Sequence, residues 1–252
     1  MARKPRRKSE TGIYHVMLRG INKQRIFEDK QDYQKFIDVL KESKDISGFN
    51  LYGYCLMSNH IHLLIKEEEE ELADIFKRIG VRYVYWYNYK YSRTGHLFQG
   101  RYKSEVVEND PYLLTVLRYI HQNPKKAEIV KDIKNYPWSS YNEYLGEKNI
   151  CDIDFILDIF SKNRKKALLE FTKFNNQSNN DLCLDLKEHN RINDLEAENI
   201  IKDITGFESP SHIHNISNVE RDKIIKKLKS RGLSIRQIQR LTGVSFGVIR
   251  RI

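Results

Sequence analysis

The sequence predicts an α+β protein: a ferredoxin-like (split βαβ) antiparallel sheet with helices on one face, followed by an α-helical C-terminal helix-turn-helix module. Three observations lead there. Apolar runs and helical periodicities alternate from Ile13 to Pro124 in the order strand, helix, strand, strand, helix, strand, with one helix more. A basic helical pattern returns at Asn218, broken at Gly232 and Gly243. The 252 residues suffice for a core-bearing domain of about 100 to 150 residues and a smaller module. The expected divisions are 1–146 for the sheet domain, 147–216 for a helical extension and linker, and 217–252 for the C-terminal module.

Each element has a local reason. Ile13 to Leu18, IYHVML, is β-prone and stops at Arg19-Gly20. Gln31 to Ile46 carries Tyr33, Phe36, Ile37 and Leu40 at helical spacing and is closed by Gly48. Phe49 to Met57 and His60 to Lys66 are apolar runs separated by Ser58-Asn59, a hairpin turn. The acidic run Glu67 to Glu71 complements the dipole of a helix that follows, with Leu72, Ile75, Phe76 and Ile79 on one side. In RYVYWYNYKY the tyrosines alternate as in a strand. The register set by Leu72 also continues through Ile79, Tyr83, Trp86 and Tyr87, and no turn signal intervenes before Ser92. One long helix with an aromatic-rich surface is expected. Arg101 to Glu108 reads as a fourth strand. Asp110-Pro111 then opens a helix, the acid as N-cap and the proline in the first turn, and Asn123-Pro124 ends it. Beyond it, Phe155 to Phe174 reads as helix and Asn175 to Asn180 as a polar linker.

Charge narrows the partner. The net charge is +10 and the bases concentrate at the ends: five in residues 1–8 with no acid, and ten against two acids in residues 218–252. Such clusters suit a polyanion, with nucleic acid the first candidate. Cys55, Cys151 and Cys183 are distant and odd in number, which excludes a disulfide framework and a thiolate zinc site. No apolar run reaches the roughly 20 residues of a membrane span. A reducing, cytoplasmic setting without membrane contact is expected.

The chemistry concentrates in MSNHIHLLI. On a strand, residues i and i+2 share a side, so His60 and His62 present both imidazoles together, half of a divalent cation site. Alone the pattern is more often that of surface or core histidines. In LRYIHQNP, Tyr119 and Asn123 lie four apart and share a helix face. A tyrosine beside a cation and an amide ligand suits attack on a phosphodiester, while the alternative is a core tyrosine with an asparagine cap. A second HxH, Ser211-His212-Ile213-His214, follows Ser209-Pro210 with no apolar strand behind it and reads as linker or capping sequence.

Several spaced motifs, ARKPR at the start, Tyr14-His15-Val16 with Arg19-Gly20, MSNHIHLLI, GHLFQGRYKS from Gly95 and RYIHQNPKKA from Arg118, resemble the REP-associated tyrosine transposases within the single-tyrosine HUH transposases. The resemblance runs from Ala2 to about Tyr144; Ser58 stands where that family usually has proline. It implies that His60 and His62 are metal ligands with Asn123 the helix-borne third, Gln122 being one residue out of register. It implies Mg²⁺ or Mn²⁺ as the metal. It implies Tyr119 as the nucleophile, cleaving and rejoining single-stranded, hairpin-forming repeat DNA through a 5′-phosphotyrosine link with a free 3′-hydroxyl. Arg101 and Lys103 follow the family's basic strand, and with Arg19 they are candidates for phosphate contacts, plain solvent exposure being the alternative. His15, His96 and His121 are read as structural or substrate-adjacent. Monomer and homodimer, and a site completed within one chain or between two, stay open.

The C-terminal stretch from Leu233 to Arg251 resembles a helix-turn-helix of DnaA or resolvase type, with Ile235, Ile238, Leu241, Val244 and Ile249 as core and Gly243 at the turn. Its second helix, from Ser245, would bring Arg250 and Arg251 to bases or phosphates of flanking duplex, with Arg236 nearby; a plain basic helical hairpin is the alternative. Two further readings remain: a domesticated, non-cleaving protein that recognises hairpins or operators, and a replication-initiator relative.

Overall fold

Ile13–Arg19 (β1) is buried on both sides and is an inner strand of a sheet, which is where such a run can bury both faces. The computed structural model describes residues 6–147, 149–184, 194–207 and 209–252. After β1 come Lys30–Ser47 (α1), Asn50–Met57 (β2), His60–Lys66 (β3), Leu72–Lys90 (α2), Lys103–Val106 (β4) and Asp110–Lys126 (α3). The four strands form an antiparallel sheet in the order β2-β3-β1-β4.

Helix boundaries follow local chemistry. Asp29 caps α1, its side chain accepting from the Gln31 and Asp32 backbone N–H groups while Asp32 reaches back, and Gly48 closes the helix in the left-handed conformation. The tyrosine-rich run is helical, as expected. Ile79, Tyr83 and Tyr87 are buried on one face of α2, and Tyr85 and Tyr89 stand 76% and 82% exposed on the other. The acidic run before α2 is structural: Glu67 accepts from the Leu72 backbone, Glu70 makes a two-point pair with Arg78, and Glu71 meets Lys8.

One core lies between the sheet and the α1–α2 layer, built from Val16, Leu18, Ile61, Leu63 and Ile65 with Phe36, Leu40, Ile75 and Ile79. The opposite face is covered by α3, the helix that follows the β1-α1-β2-β3-α2-β4 unit. Tyr52, Cys55, Met57 and Leu64 pack there against Leu113, Val116, Leu117 and Ile120. The face is too apolar to stay exposed. Gly53 makes the close approach possible, since a Cβ there would come within 2.5 Å of Leu117 Cδ1.

Three expectations about α3 and its surroundings are corrected. Its N-cap is Asn109, whose side chain accepts from the Tyr112 N–H, rather than Asp110. It runs through Pro124 to Lys126. The proline removes one donor in the last turn, and the Ala127 N–H to Asn123 carbonyl bond, 2.9 Å, still closes the helix beyond it. The expected helical extension is helical but packs with the first unit and is broken in two: Tyr141–Tyr144 (α4), Ile153–Phe160 (α5) and Arg164–Asn176 (α6) follow. Ser161–Asn163 splits the expected single helix, and Ile156, Leu157, Ala167 and Phe171 join the core under α3. Asn175 in the expected linker is buried.

The chain divides into compact units Met1–Asp185 and Leu186–Ile252, so the boundaries expected at 146 and 216 do not coincide with the division. The second unit holds Asp194–Thr205 (α7), Asn218–Ser230 (α8), Ile235–Thr242 (α9) and Phe246–Arg251 (α10). Ala197, Ile201, Ile225, Leu228, Leu233, Ile238, Val244 and Ile249 are its core; Ile235 and Leu241 sit at its edge. Ile213 of the SHIH stretch is buried in the same core, within a short 3-10 turn, so that stretch is a packed element rather than a linker. Among the described residues no helix is long and apolar enough to cross a membrane.

Candidate active site

Strand parity sets the site. His60 and His62 alternate with Ile61 and Leu63, so once those apolar side chains face α1 and α2 the imidazoles must face the other way. The antiparallel pairing places Arg19 opposite His60 and Met17 opposite His62 on β1. It also places Lys103 opposite Met17, and Glu105 opposite His15, on β4. Directly paired residues share a face, so His15, Arg19, Lys103 and Glu105 join the two histidines on the α3 side of the sheet.

Helix α3 supplies the rest. The Asn123 Oδ1 lies 3.4 Å from His60 Nε2. The Tyr119 ring stands edge-on to His62 with centroids 5.6 Å apart, and 5.9 Å from the ring of His15. The His60 and His62 rings are themselves 5.1 Å apart and nearly perpendicular. Lys126, one helical step further, lies 5.2 Å from the Tyr119 ring. All four residues expected to form the site are thus together, within one chain.

The histidines are held in specific states. His60 Nδ1 is 2.6 Å from the Asn59 side-chain oxygen, to which it donates. In a neutral ring protonated at Nδ1, the Nε2 lone pair would face the Asn123 Oδ1 at 3.4 Å. Two lone pairs converging in this way are an arrangement that a cation satisfies. His62 is buried, with its Nδ1 2.9 Å from His15 Nε2. Burial, then the neighbouring His15 and His60, hold its pKa well below the ordinary value, so it is a neutral imidazole, the form that ligates metal. Burial likewise pushes His15 down to about 3. Among the described residues no three His, Cys, Asp or Glu side chains are grouped to hold a metal. The donor set is instead two imidazoles and one amide oxygen, which fits a divalent cation that keeps water or phosphate oxygens in its remaining positions.

Helix α3 is clamped from behind. His121 is buried, its Nδ1 donating to Asn175 Oδ1 at 2.9 Å and its Nε2 lying 3.0 Å from Ser140 Oγ. Gln122 donates to the carbonyls of Asn175 and Gln177 and accepts from Asn179. Arg118 makes a two-point pair with Asp181 at 2.7 and 3.0 Å and lies 4.0 Å over the Phe174 ring. Gln122 therefore points away from the site, and the register that separates it from Asn123 is physical. Sequence reading missed this clamp and Asn59. The parity of β1 was the available signal for His15, since His15, Met17 and Arg19 share a side.

The expected DNA-contacting residues fall into two groups. Arg19 is half-buried beside His60, with its Nε enclosed and without a hydrogen-bond partner. Lys103 is exposed at the start of β4, and Arg101 is exposed just before it, lining a pocket with Ile21, His96 and Phe98. Arg236, Arg250 and Arg251 are all exposed in the second unit.

Residues 8–123 match the family described as IS200-like transposases. A Haemophilus influenzae protein named as a REP-associated tyrosine transposase is 27% identical over 124 residues, which span 44% of this chain and 70% of that protein. Among solved structures, a REP-associated tyrosine transposase bound to a REP hairpin superposes with a TM-score of 0.51 at 16% identity, over 58% of this chain and 87% of that one.

Proposed function

We propose that this chain is a REP-associated tyrosine transposase of IS200-like type, a reading supported by the match of residues 8–123 and by its similarity to the Haemophilus influenzae protein, and that it is a metal-dependent enzyme that cleaves and rejoins single-stranded, hairpin-forming DNA through Tyr119. The observation that carries the reading is the meeting of Tyr119 and Asn123 of α3 with His60 and His62 of β3 in one place. The strand order and its α1–α2 layer support the ferredoxin-like, split βαβ reading of the domain.

In this reading His60, His62 and Asn123 hold Mg²⁺ or Mn²⁺, which when bound polarises the scissile phosphate. Arg19 and Lys103, on the same side of the sheet, bind the phosphates on either side of it, and Arg101 takes the strand as it leaves. Tyr119 attacks the phosphorus through its phenolic oxygen. A 5′-phosphotyrosine forms, the P–O bond to the preceding sugar breaks, and the 3′-oxygen leaves as a hydroxyl. The phosphate ester energy is retained in the link, so rejoining needs no nucleotide. The apolar packing of Tyr119, 7% exposed, fixes its ring before the substrate arrives.

The second unit joins α9 to α10 through Gly243–Ser245, with Gly243 in the left-handed conformation. This tight turn supports a helix-turn-helix, with Arg236, Arg250 and Arg251 placed on flanking duplex.

The test uses 5′- and 3′-labelled single-stranded hairpins with Mn²⁺, comparing wild type with Tyr119→Phe. A covalent adduct on the 5′-phosphate side that Tyr119→Phe abolishes is expected. Hairpin binding by wild type without any adduct, across varied hairpins, would instead favour the non-cleaving regulatory reading.

A further inference from the structure

His15 is a fully buried histidine with no place in the chemistry described so far, and its only side-chain hydrogen bond among the described contacts is to a candidate metal ligand. Its Nε2 meets His62 Nδ1 at 2.9 Å. Its Nδ1 is enclosed and makes no hydrogen bond, and the nearest carboxylate oxygen, Oε2 of Glu105, is 3.9 Å away. Glu105 is itself fixed: it is paired with His15 across β1 and β4, and its Oε2 accepts from the Leu184 N–H at 2.9 Å.

These contacts leave one self-consistent placement of protons. A bare Nδ1 on His15 would turn a lone pair toward the Glu105 carboxylate, whereas an N–H there is attracted to it. With the proton on Nδ1, a neutral His15 has a bare Nε2 and can only accept from His62. His62 must then carry its proton on Nδ1, which leaves its Nε2 with a free lone pair. Both rings are buried in the sheet, where an uncharged imidazole is the favoured form, so each has one proton to place.

We infer that His15 is a positioning residue: through the 2.9 Å contact it fixes the tautomer of His62, so that the His62 Nε2 lone pair is presented to the metal position. The inference rests on the metal site proposed above. Asn59 plays the matching part for His60, whose Nδ1 it holds at 2.6 Å. The two imidazoles thus have separate supports, one at a polar turn and one inside the sheet. The inner support also orients His62 before any metal arrives, because neither His15 nor Glu105 needs to move.

The experiment uses the full chain labelled with ¹⁵N-histidine and free of metal. Long-range ¹H–¹⁵N correlation spectra, with His62 assigned through a His62→Gln variant, report which ring nitrogen carries the proton. Wild-type His62 is expected to be protonated at Nδ1, and in His15→Leu that preference is expected to disappear. Mn²⁺ affinity, followed by electron paramagnetic resonance, is expected to weaken about 10- to 100-fold in His15→Leu. It should recover in His15→Gln, whose amide oxygen can accept from His62. A wild-type His62 protonated at Nε2 would overturn the inference, as would a His15→Leu variant with unchanged tautomer and unchanged Mn²⁺ affinity. Should His15→Leu not fold, the wild-type spectrum and His15→Gln decide. Failure of wild type to take up Mn²⁺ would overturn the metal site instead, a result distinguishable from the metal-free spectrum.

Discussion

His121 and Asn175 are joined side chain to side chain at 2.9 Å inside the protein, tying the helix that carries Tyr119 to a residue 54 positions later. Asn175→Ala strands the buried His121 N–H and removes the Asn175 donation to the Phe171 carbonyl. The expected cost is about 1–3 kcal/mol in chemical denaturation. The same variant should lower the rate of adduct formation more than hairpin affinity, since it loosens the nucleophile's helix and not the basic residues. Equal losses in rate and affinity would contradict this.

Gly53 sets how closely α3 approaches the sheet. Gly53→Val puts branched carbon where Leu117 now lies, and overpacking of this kind costs about 1–3 kcal/mol. Displacement of α3 also separates Asn123 from His60, so Mn²⁺ affinity should fall along with stability. Gly48→Ala, at an open position with φ of +66°, should cost stability through backbone strain and leave Mn²⁺ affinity as it is.

Acid should unfold the first unit early. Burial holds His15 at about 3 and His121 at about 4, against 6.5 for an unperturbed histidine. Between these values the unfolded chain binds more protons than the folded one. The stability contributed by keeping both rings neutral is therefore complete above about pH 6.5 and is lost as pH falls toward 4. Each group changes stability by up to about 1.4 kcal/mol per pH unit in that window. Melting temperature measured from pH 7.5 to 4.5 should fall below 6.5, and His121→Gln should show a shallower slope. A flat wild-type profile would refute the assignment of these rings as neutral.

Phosphate contacts are separable by salt. Replacing Arg250 or Arg251 with glutamine should lower the slope of log affinity against log salt by about 1 per residue for duplex-flanked hairpins. Arg19→Gln should depress cleavage most strongly, because Arg19 is paired across the sheet with His60. An Arg19 variant that cleaves normally would place the scissile phosphate elsewhere.

Much of the site was legible because strand and helix periodicities are local. The i, i+2 spacing of His60 and His62, and the i, i+4 spacing of Tyr119 and Asn123, put each pair on one side of its element whatever the rest of the chain does. The tyrosine-rich α2 was legible for the same reason, since the register from Leu72 to Tyr87 outweighed the alternation. Pro124 misled because a proline signals the end of a helix, while in the last turn it removes only one bond and the chain winds on.

The sequence by itself determined which residue types could do phosphodiester chemistry and which sides of their elements they occupy, because those follow from backbone geometry over a few residues. Only the tertiary structure decided that α3 lies on the histidine side of the sheet, close enough through Gly53 for Asn123 to reach His60. It alone decided that residues up to Asp181 lock that helix, and that His15 and Asn59 set the ring nitrogens. Those contacts join residues far apart in the chain, and burial against a partner surface, which no local pattern encodes, selects them.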